Sequence, residues 1–226
     1  MTGDVLFDES ARNFAAGIDA SIAENQYKRG ELFVHAVKQH VRAGGEVLDY
    51  GCGPGRLARL VAKAGYRVHG LDPSTGMLEE ARRQDFGDAE ARFERLTDGG
   101  ESLATDRYDG VMCSSTIEYV PGANALLGHF RRCLRSDGVL VLSFSNRPSL
   151  WRRASKVLTP SAPHLRLQHN IWSFEQCEAA LQRAGFTVNG KPIYFDAAPF
   201  DKRPLLRSLS SLPIIGTLGL VVARRA

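Results

Sequence analysis

The segment Asp49-Tyr50-Gly51-Cys52-Gly53-Pro54-Gly55 sets three glycines at alternate positions behind an acidic residue, and a second acid, Asp72, ends the downstream run Val68-His69-Gly70-Leu71-Asp72. Glycines at this density let the main chain turn tightly and bring its N–H groups close to a ligand. A helix starting just beyond would add a partly positive end suited to a carboxylate or phosphate. A carboxylate at Asp72 can accept hydrogen bonds from both hydroxyls of a ribose. These are the parts of a nucleoside site, and the spacing narrows its class. Dinucleotide sites use G-x-G-x-x-G, whose last glycine allows close helix–strand packing. Here the pattern is G-x-G-x-G, and bulky Arg56 falls at the dinucleotide-type third position. Asp49 also suits a ligand with an ammonium group better than one with a pyrophosphate.

Proton-transfer candidates are fewer. His164 and His169 lie in the long segment between Asn146 and Ser173, and either can take a proton near neutral pH. Tyr119 can hydrogen-bond a substrate, although a packed tyrosine fits the same position. The histidines at 35, 40, 69 and 129 fall in regular elements and are set aside. The cysteines at 52, 113, 133 and 177 share no C-x-x-C spacing, so neither a metal site nor a disulfide framework is expected.

The elements that must position these groups follow from periodicity. Short apolar strands are expected at Val47–Tyr50, Arg67–Leu71, Ala91–Leu96, Gly110–Cys113 and Val139–Phe144, with helices at Arg56–Ala64, Ser74–Arg83 and Asn124–Leu134 between them. That alternation implies parallel βαβ units with helices on both sheet faces. An amphipathic helix is expected from Arg29 to Val41, stopped by Gly44-Gly45. Ser173 with Gln176 has capping-box spacing for a later helix ending near Gly185. Two strands then follow, over roughly Thr187–Phe195 and Thr217–Ala223. One domain over 1–226 is expected: a lid or docking helix at 1–28, a cofactor-binding core at 29–145, and substrate-side insertions at 146–172 and 196–216.

With these pieces in place, Val47-Leu48-Asp49-Tyr50-Gly51-Cys52-Gly53-Pro54-Gly55 resembles the first motif of class I S-adenosylmethionine-dependent methyltransferases. The likeness extends through Gly70-Leu71-Asp72, Tyr108-Asp109-Gly110-Val111, Ile117-Glu118-Tyr119-Val120-Pro121 and Ser145-Asn146-Arg147, and is closest to the small-molecule branch that includes the ubiquinone-biosynthesis O-methyltransferases. It implies a Rossmann-like, seven-stranded, mostly parallel sheet with an antiparallel last strand. It implies that Gly51 and Gly53 line the methionine moiety, with Cys52 between them, and that Asp72, beside Pro73, holds the ribose. Met77 would pack near the adenine, or be plain helix core. Thr97 and Asp98 would border the adenine, or form an ordinary turn. Ser114 and Ser115 would reach the methionine from the other side. Arg29 stands where that branch places an arginine for the methionine carboxylate. Where the branch often reads Glu-His-Val, this chain has Glu118-Tyr119-Val120, which removes a histidine base from that position.

The expected activity is transfer of a methyl group from S-adenosylmethionine to a small-molecule acceptor, most readily on oxygen, by in-line displacement driven mainly by orientation. N- or C-methylation and a non-catalytic S-adenosylmethionine-binding module are the alternatives; the glycine spacing disfavours a nicotinamide-dependent reductase. Basic and apolar residues gather at 147–168 and again at 202–215, which favours an amphiphilic or anionic acceptor, or peripheral membrane contact through 203–215; a solvated basic face is the plainer reading. The 226 residues carry a net charge of +4, without the clustered basic runs of a nucleic-acid binder. The start reads unlike a signal peptide and no stretch reads as a membrane span, so a cytoplasmic location is expected.

Overall fold

The computed structural model describes residues 20–158, 167–196 and 209–226. In chain order the elements are α1 (Ala20–His40), β1 (Glu46–Tyr50), α2 (Arg56–Lys63), β2 (Arg67–Asp72), α3 (Thr75–Arg82), β3 (Ala91–Arg95), β4 (Tyr108–Cys113), a 3-10 turn (Ile117–Tyr119), α4 (Ala123–Cys133) and β5 (Leu134–Asn146). They continue with α5 (Leu150–Leu158), β6 (Ile171–Trp172), α6 (Phe174–Arg183), β7 (Phe186–Val188), β8 (Ile193–Phe195) and β9 (Leu218–Arg225).

The sheet runs β3-β2-β1-β4-β5-β9-β7, with β6 beside β5 and β8 beside β9. Strands β1 to β6 pair in parallel, and β9 is antiparallel to β5, β7 and β8. This is the expected Rossmann-like, mostly parallel sheet with an antiparallel last strand, but with nine strands among the described residues rather than seven, because the short strands β6 and β8 add to the seven-strand path.

Alternation along the central strands divides the interior in two. Leu48, Val111, Leu140, Leu142 and Phe144 point to one face, where they meet Leu127 and Phe130 of α4 and Leu181 of α6. Val47, Met112, Val139 and Val141 point to the other, against Phe33 and Val37 of α1 and Val61 of α2. Both faces are thus covered, as a central parallel strand requires. Burying each of these large side chains contributes roughly 1.5–3 kcal/mol.

Some boundaries differ from the sequence reading. β5 starts at Leu134, directly at the end of α4, rather than at Val139. The stretch read as one strand, Thr187–Phe195, is two, because Gly190 takes a left-handed conformation (φ 75°) and Pro192 follows. The insertion at 146–172 contributes a helix and a short strand to the sheet. The Ser173 capping box forms, with the Ser173 hydroxyl accepting from Gln176 N–H and the Gln176 side chain from Ser173 N–H. Among the described residues no helix is long and apolar enough to cross a membrane.

Candidate functional site

Strand order reverses at β1, whose neighbours β2 and β4 carry the chain off in opposite directions. Ligands of open α/β sheets sit outside the carboxyl ends of the strands at such a point. The Gly-rich turn leaves β1 there. Gly51 N–H and Cys52 N–H both donate to Leu71 C=O, at 2.8 and 3.0 Å, which folds the turn over the end of β2. Gly51, Gly53 and Gly55 all adopt positive φ (71°, 51° and 73°), conformations that side chains oppose. Their surroundings differ. A Cβ on Gly51 would lie 2.3 Å from Thr116 Oγ1 and one on Gly55 2.9 Å from Ala81 Cβ, whereas one on Gly53 would meet nothing within 4 Å. Gly53 is therefore the position where main chain faces open space.

Asp72 is buried at the tip of β2 and locks the turn: Oδ2 accepts from Gly53 N–H at 2.8 Å and Oδ1 from Ser74 N–H at 2.9 Å. Ser74 caps α3 by accepting from Met77 N–H at 3.1 Å. Met77 itself is buried in α3. Pro73 is half-buried, and its carbonyl accepts from Arg95 Nε. Cys52 is buried, and burial, with Asp49 and Asp72 close by, pushes its thiol well above the usual range.

Asp49 is fully enclosed, and its Oδ2 has no hydrogen-bond partner. Burial first, then the nearby Asp72, raises its carboxyl to about 7, against a smaller pull from Ala58 N–H in the first turn of α2. Across the β1–β4 step, Ser115 holds a positive φ of 52°, its N–H donating to Ser143 Oγ while its own Oγ is buried without a partner. Ser114 is half-buried, and its carbonyl accepts from Thr116 Oγ1 at 3.2 Å.

On the adenine side expected from the sequence, Asp98 accepts from Gly100 N–H (3.0 Å) and Ser102 N–H (2.8 Å); the Ser102 side chain first, then these N–H groups, hold its carboxyl below the usual range. It therefore closes its own turn, Thr97 beside it is exposed, and Tyr50 Oη pins that turn from below by donating to Gly99 C=O at 2.9 Å.

The 3-10 turn after β4 contains a residue that stands in a quoted motif without an assigned role. Glu118 is buried; Oε1 accepts from Ser145 Oγ at 3.3 Å and Oε2 has no partner. Burial raises its carboxyl, and Arg29 and Arg152 partly offset that. The available signal was a carboxylate set between apolar Ile117 and Val120 at a strand end. Arg29 is half-buried, pairs with Asp196 (Nη2–Oδ2 3.4 Å) and has a buried, unpartnered Nε. Tyr119 is bonded to Gln168, and burial pushes its hydroxyl up to about 12, so it is poorly suited to act as a base near neutral pH. His169 is exposed, with its N–H donating to Glu118 C=O at 2.7 Å, and it lines a cavity of about 400 Å³ with Arg147, Arg152, Arg153 and Ile171. His164 lies outside the described residues. Among those residues no cluster of metal-ligating side chains forms, and all four cysteines are free and buried.

A family profile for a methyltransferase domain matches residues 22–189. The ubiquinone biosynthesis O-methyltransferase of Actinobacillus pleuropneumoniae is 31% identical over 110 residues, covering 46% of this chain and 47% of that protein. The protein of the same name from Xanthomonas oryzae is 32% identical over 108 residues, covering 46% and 45%. The matched stretch thus spans about half the length of these curated relatives. Among solved structures, magnesium protoporphyrin IX methyltransferase from Synechocystis with bound S-adenosylhomocysteine superposes with a TM-score of 0.74 at 19% identity, over 99% of this chain and 98% of that one. A methyltransferase in complex with the Trm112 activator of Haloferax volcanii gives 0.70 at 19% identity, over 94% and 97%. These structures share the fold, and the profile match over most of the chain places this protein in the methyltransferase domain family.

Proposed function

We propose that this chain transfers a methyl group from S-adenosylmethionine to an oxygen of a small, partly apolar acceptor. The observation that carries the reading is the set of buried polar atoms left without partners along the carboxyl edge of the sheet: Asp49 Oδ2, Ser115 Oγ, Glu118 Oε2 and Arg29 Nε. Buried polar groups are almost always paired, so such a concentration marks where a polar ligand belongs. The chemistry of the set fits the cofactor. Asp49 suits an α-ammonium, Arg29 a carboxylate, and Asp72, at the tip of β2 beside the turn, a ribose. Gly51, Cys52 and Gly53 form the wall beside the methionine, with Ser114 and Ser115 opposite; Pro73, Met77, Thr97 and Asp98 are assigned to the ribose–adenine end.

When bound, S-adenosylmethionine supplies an electrophilic methyl group and its own leaving group. The residues of this chain have to hold the acceptor in line, keep water out and take up a proton. Orientation of this kind is worth roughly 7–11 kcal/mol of barrier, and a general base adds about 100- to 10,000-fold. Of the catalytic candidates, His169 is exposed beside the basic cavity and retains the role of proton acceptor, His164 stays a candidate from sequence alone, and Tyr119 is reassigned to positioning. The arginines around that cavity suit an acceptor bearing an anionic group, and the names of the curated relatives favour oxygen as the methylated atom.

Calorimetry with S-adenosylhomocysteine and with NADH tests the cofactor: binding of the first and none of the second is expected, with loss of the first on Asp72→Ala while the fold persists. Tight binding indifferent to Asp72→Ala would overturn the ribose assignment. Mass spectrometry of host metabolites incubated with labelled S-adenosylmethionine then identifies the acceptor as the one methyl-shifted product.

A further inference from the structure

We propose that an apolar tip formed by Leu150, Leu212 and Ile214 docks this protein on an anionic phospholipid bilayer. Four large apolar side chains are exposed among the described residues, and three of them are here: Leu150 (54%), Leu212 (42%) and Ile214 (52%). Scattered exposed apolar residues are ordinary, but a group of them on two segments bonded to each other needs a covering partner. The two segments that carry them are far apart in sequence and firmly tied. Leu150 N–H donates to Ile214 C=O and Ser149 Oγ to Ile215 C=O, both at 2.8 Å. The Asn146 amide donates to Pro213 C=O at 2.6 Å and to Gly216 C=O at 2.8 Å. Asn146 and Ser149 are both fully buried, so the backbone under the tip is fixed from within.

Charge decides between the possible occupants. Residues 147–174 contain no Asp or Glu and carry Arg147, Arg152, Arg153, Lys156 and Arg166; residues 202–226 are also free of acids. Arg147 is exposed three positions before Leu150, and Arg153 is exposed one helical turn after it, on the same face of α5. The tip is therefore apolar at its point and cationic at its rim. A second copy docking by the same tip would bring two cationic rims together, whereas lipid phosphates neutralise one. Apolar insertion combined with attraction to anionic headgroups is the usual basis of interfacial attachment. The stretch 203–215 marked by the sequence for membrane contact is represented in this surface only by its last residues, since 203–208 lie outside the described ones. The inference extends the acceptor reading above, because the tip adjoins the basic cavity through Arg147 and Arg153. It can fail separately, because lipid binding needs no methyl donor.

The test is flotation of the full chain with vesicles of equal parts phosphatidylglycerol and phosphatidylcholine, against phosphatidylcholine alone, in low and high salt. Binding to the anionic vesicles is expected, weakened by salt and reduced about tenfold or more by the pair Leu150→Ser and Ile214→Ser, which removes the inserted area. Arg83→Gln, which removes a positive charge just past the end of α3, should leave it nearly unchanged. Thermal melting and S-adenosylhomocysteine affinity of the double variant should match the parent, since both side chains are exposed. Quenching of tryptophan fluorescence by brominated lipid gives a check that needs no substitution, because Trp151 adjoins the tip. Absence of binding and quenching, equal binding to neutral vesicles, binding indifferent to the double substitution, or a dimer that the double substitution dissolves would each overturn the proposal.

Discussion

Gly53 N–H donates to Asp72 Oδ2 at 2.8 Å, so the residue assigned to the ribose also fixes the turn assigned to the methionine. With Ser74 N–H on the other oxygen, the Asp72 carboxylate joins the ends of β1 and β2 through two main-chain donors. Asp72→Ala therefore removes a turn lock along with a ligand contact. Hydrogen bonds to a charged group are worth about 1.5–3 kcal/mol each, so a fall in S-adenosylhomocysteine affinity of roughly 100-fold is expected, with a loss of stability of about 1–3 kcal/mol. Asp72→Asn keeps one acceptor and should lose less of both. Calorimetry and urea denaturation of the two variants check this ranking.

The parallel βαβ units were legible because each central strand is a short apolar run bounded by glycines and helical stretches, whereas the reversed last strand followed only from the family resemblance. The Gly-rich turn was legible for a different reason: backbone-ligand contacts demand glycine, and glycine shows in any sequence. Glu118 was less so. A carboxylate between Ile117 and Val120 gives no sign of whether it faces solvent or lies buried between two arginines; that depends on the packing of α1 and α5, far away in the chain. Tyr119 likewise read as either a substrate hydrogen-bonding group or a packed side chain, and only the structure shows its bond to Gln168 and the burial that sets its hydroxyl far from neutral pH. Met77 and Asp98 were open between site and scaffold, and burial of the first and the closed turn of the second give each a structural task already.

Asn146 at the end of β5 carries the 213–216 segment. It is fully buried, and its amide donates to two carbonyls of that segment. Asn146→Ala leaves both carbonyls short of a donor in the interior. A loss of about 2–3 kcal/mol is expected, near the sum of two ordinary hydrogen bonds and part of their desolvation cost. Asn146→Asp, with no donors when ionised, should be at least as damaging. Chemical denaturation is the measurement, and hydrogen exchange should show the amide of Leu150, bonded to Ile214 C=O, opening more readily.

Gly51 and Gly53 offer a contrast between strain and occlusion. Both have positive φ, so an alanine at either costs about 1–2 kcal/mol from the backbone alone. At Gly51 the new Cβ also collides with the Thr116 side chain, so Gly51→Ala should unfold at clearly lower urea than Gly53→Ala. At Gly53 the Cβ enters open space, the space assigned to the cofactor. Gly53→Ala should therefore keep most of its stability and still lose S-adenosylhomocysteine affinity by about tenfold or more, as overpacking of a fitted site does. A Gly53→Ala protein that binds as tightly as the parent would move the cofactor away from the turn.

Asp49 ties stability and binding to pH with opposite signs. Its carboxyl is raised in the folded chain to about 7, while the unfolded chain titrates near 3.8. Between those values the folded state holds the extra proton, so this group's contribution to stability falls as pH rises from about 4 to 7, and levels off above. Asp49→Asn should remove that slope and melt higher than the parent at pH 8. An α-ammonium beside Oδ2 favours the ionised form, so cofactor binding should expel a proton below pH 7. If only ionised Asp49 binds, affinity for S-adenosylhomocysteine rises about tenfold from pH 6 to pH 8, following the ionised fraction. Calorimetry in buffers of different ionisation enthalpy counts the released proton directly, and in Asp49→Asn both that count and the pH slope should vanish. An unchanged slope in the variant would assign the titration to another group and leave the ammonium without its carboxylate.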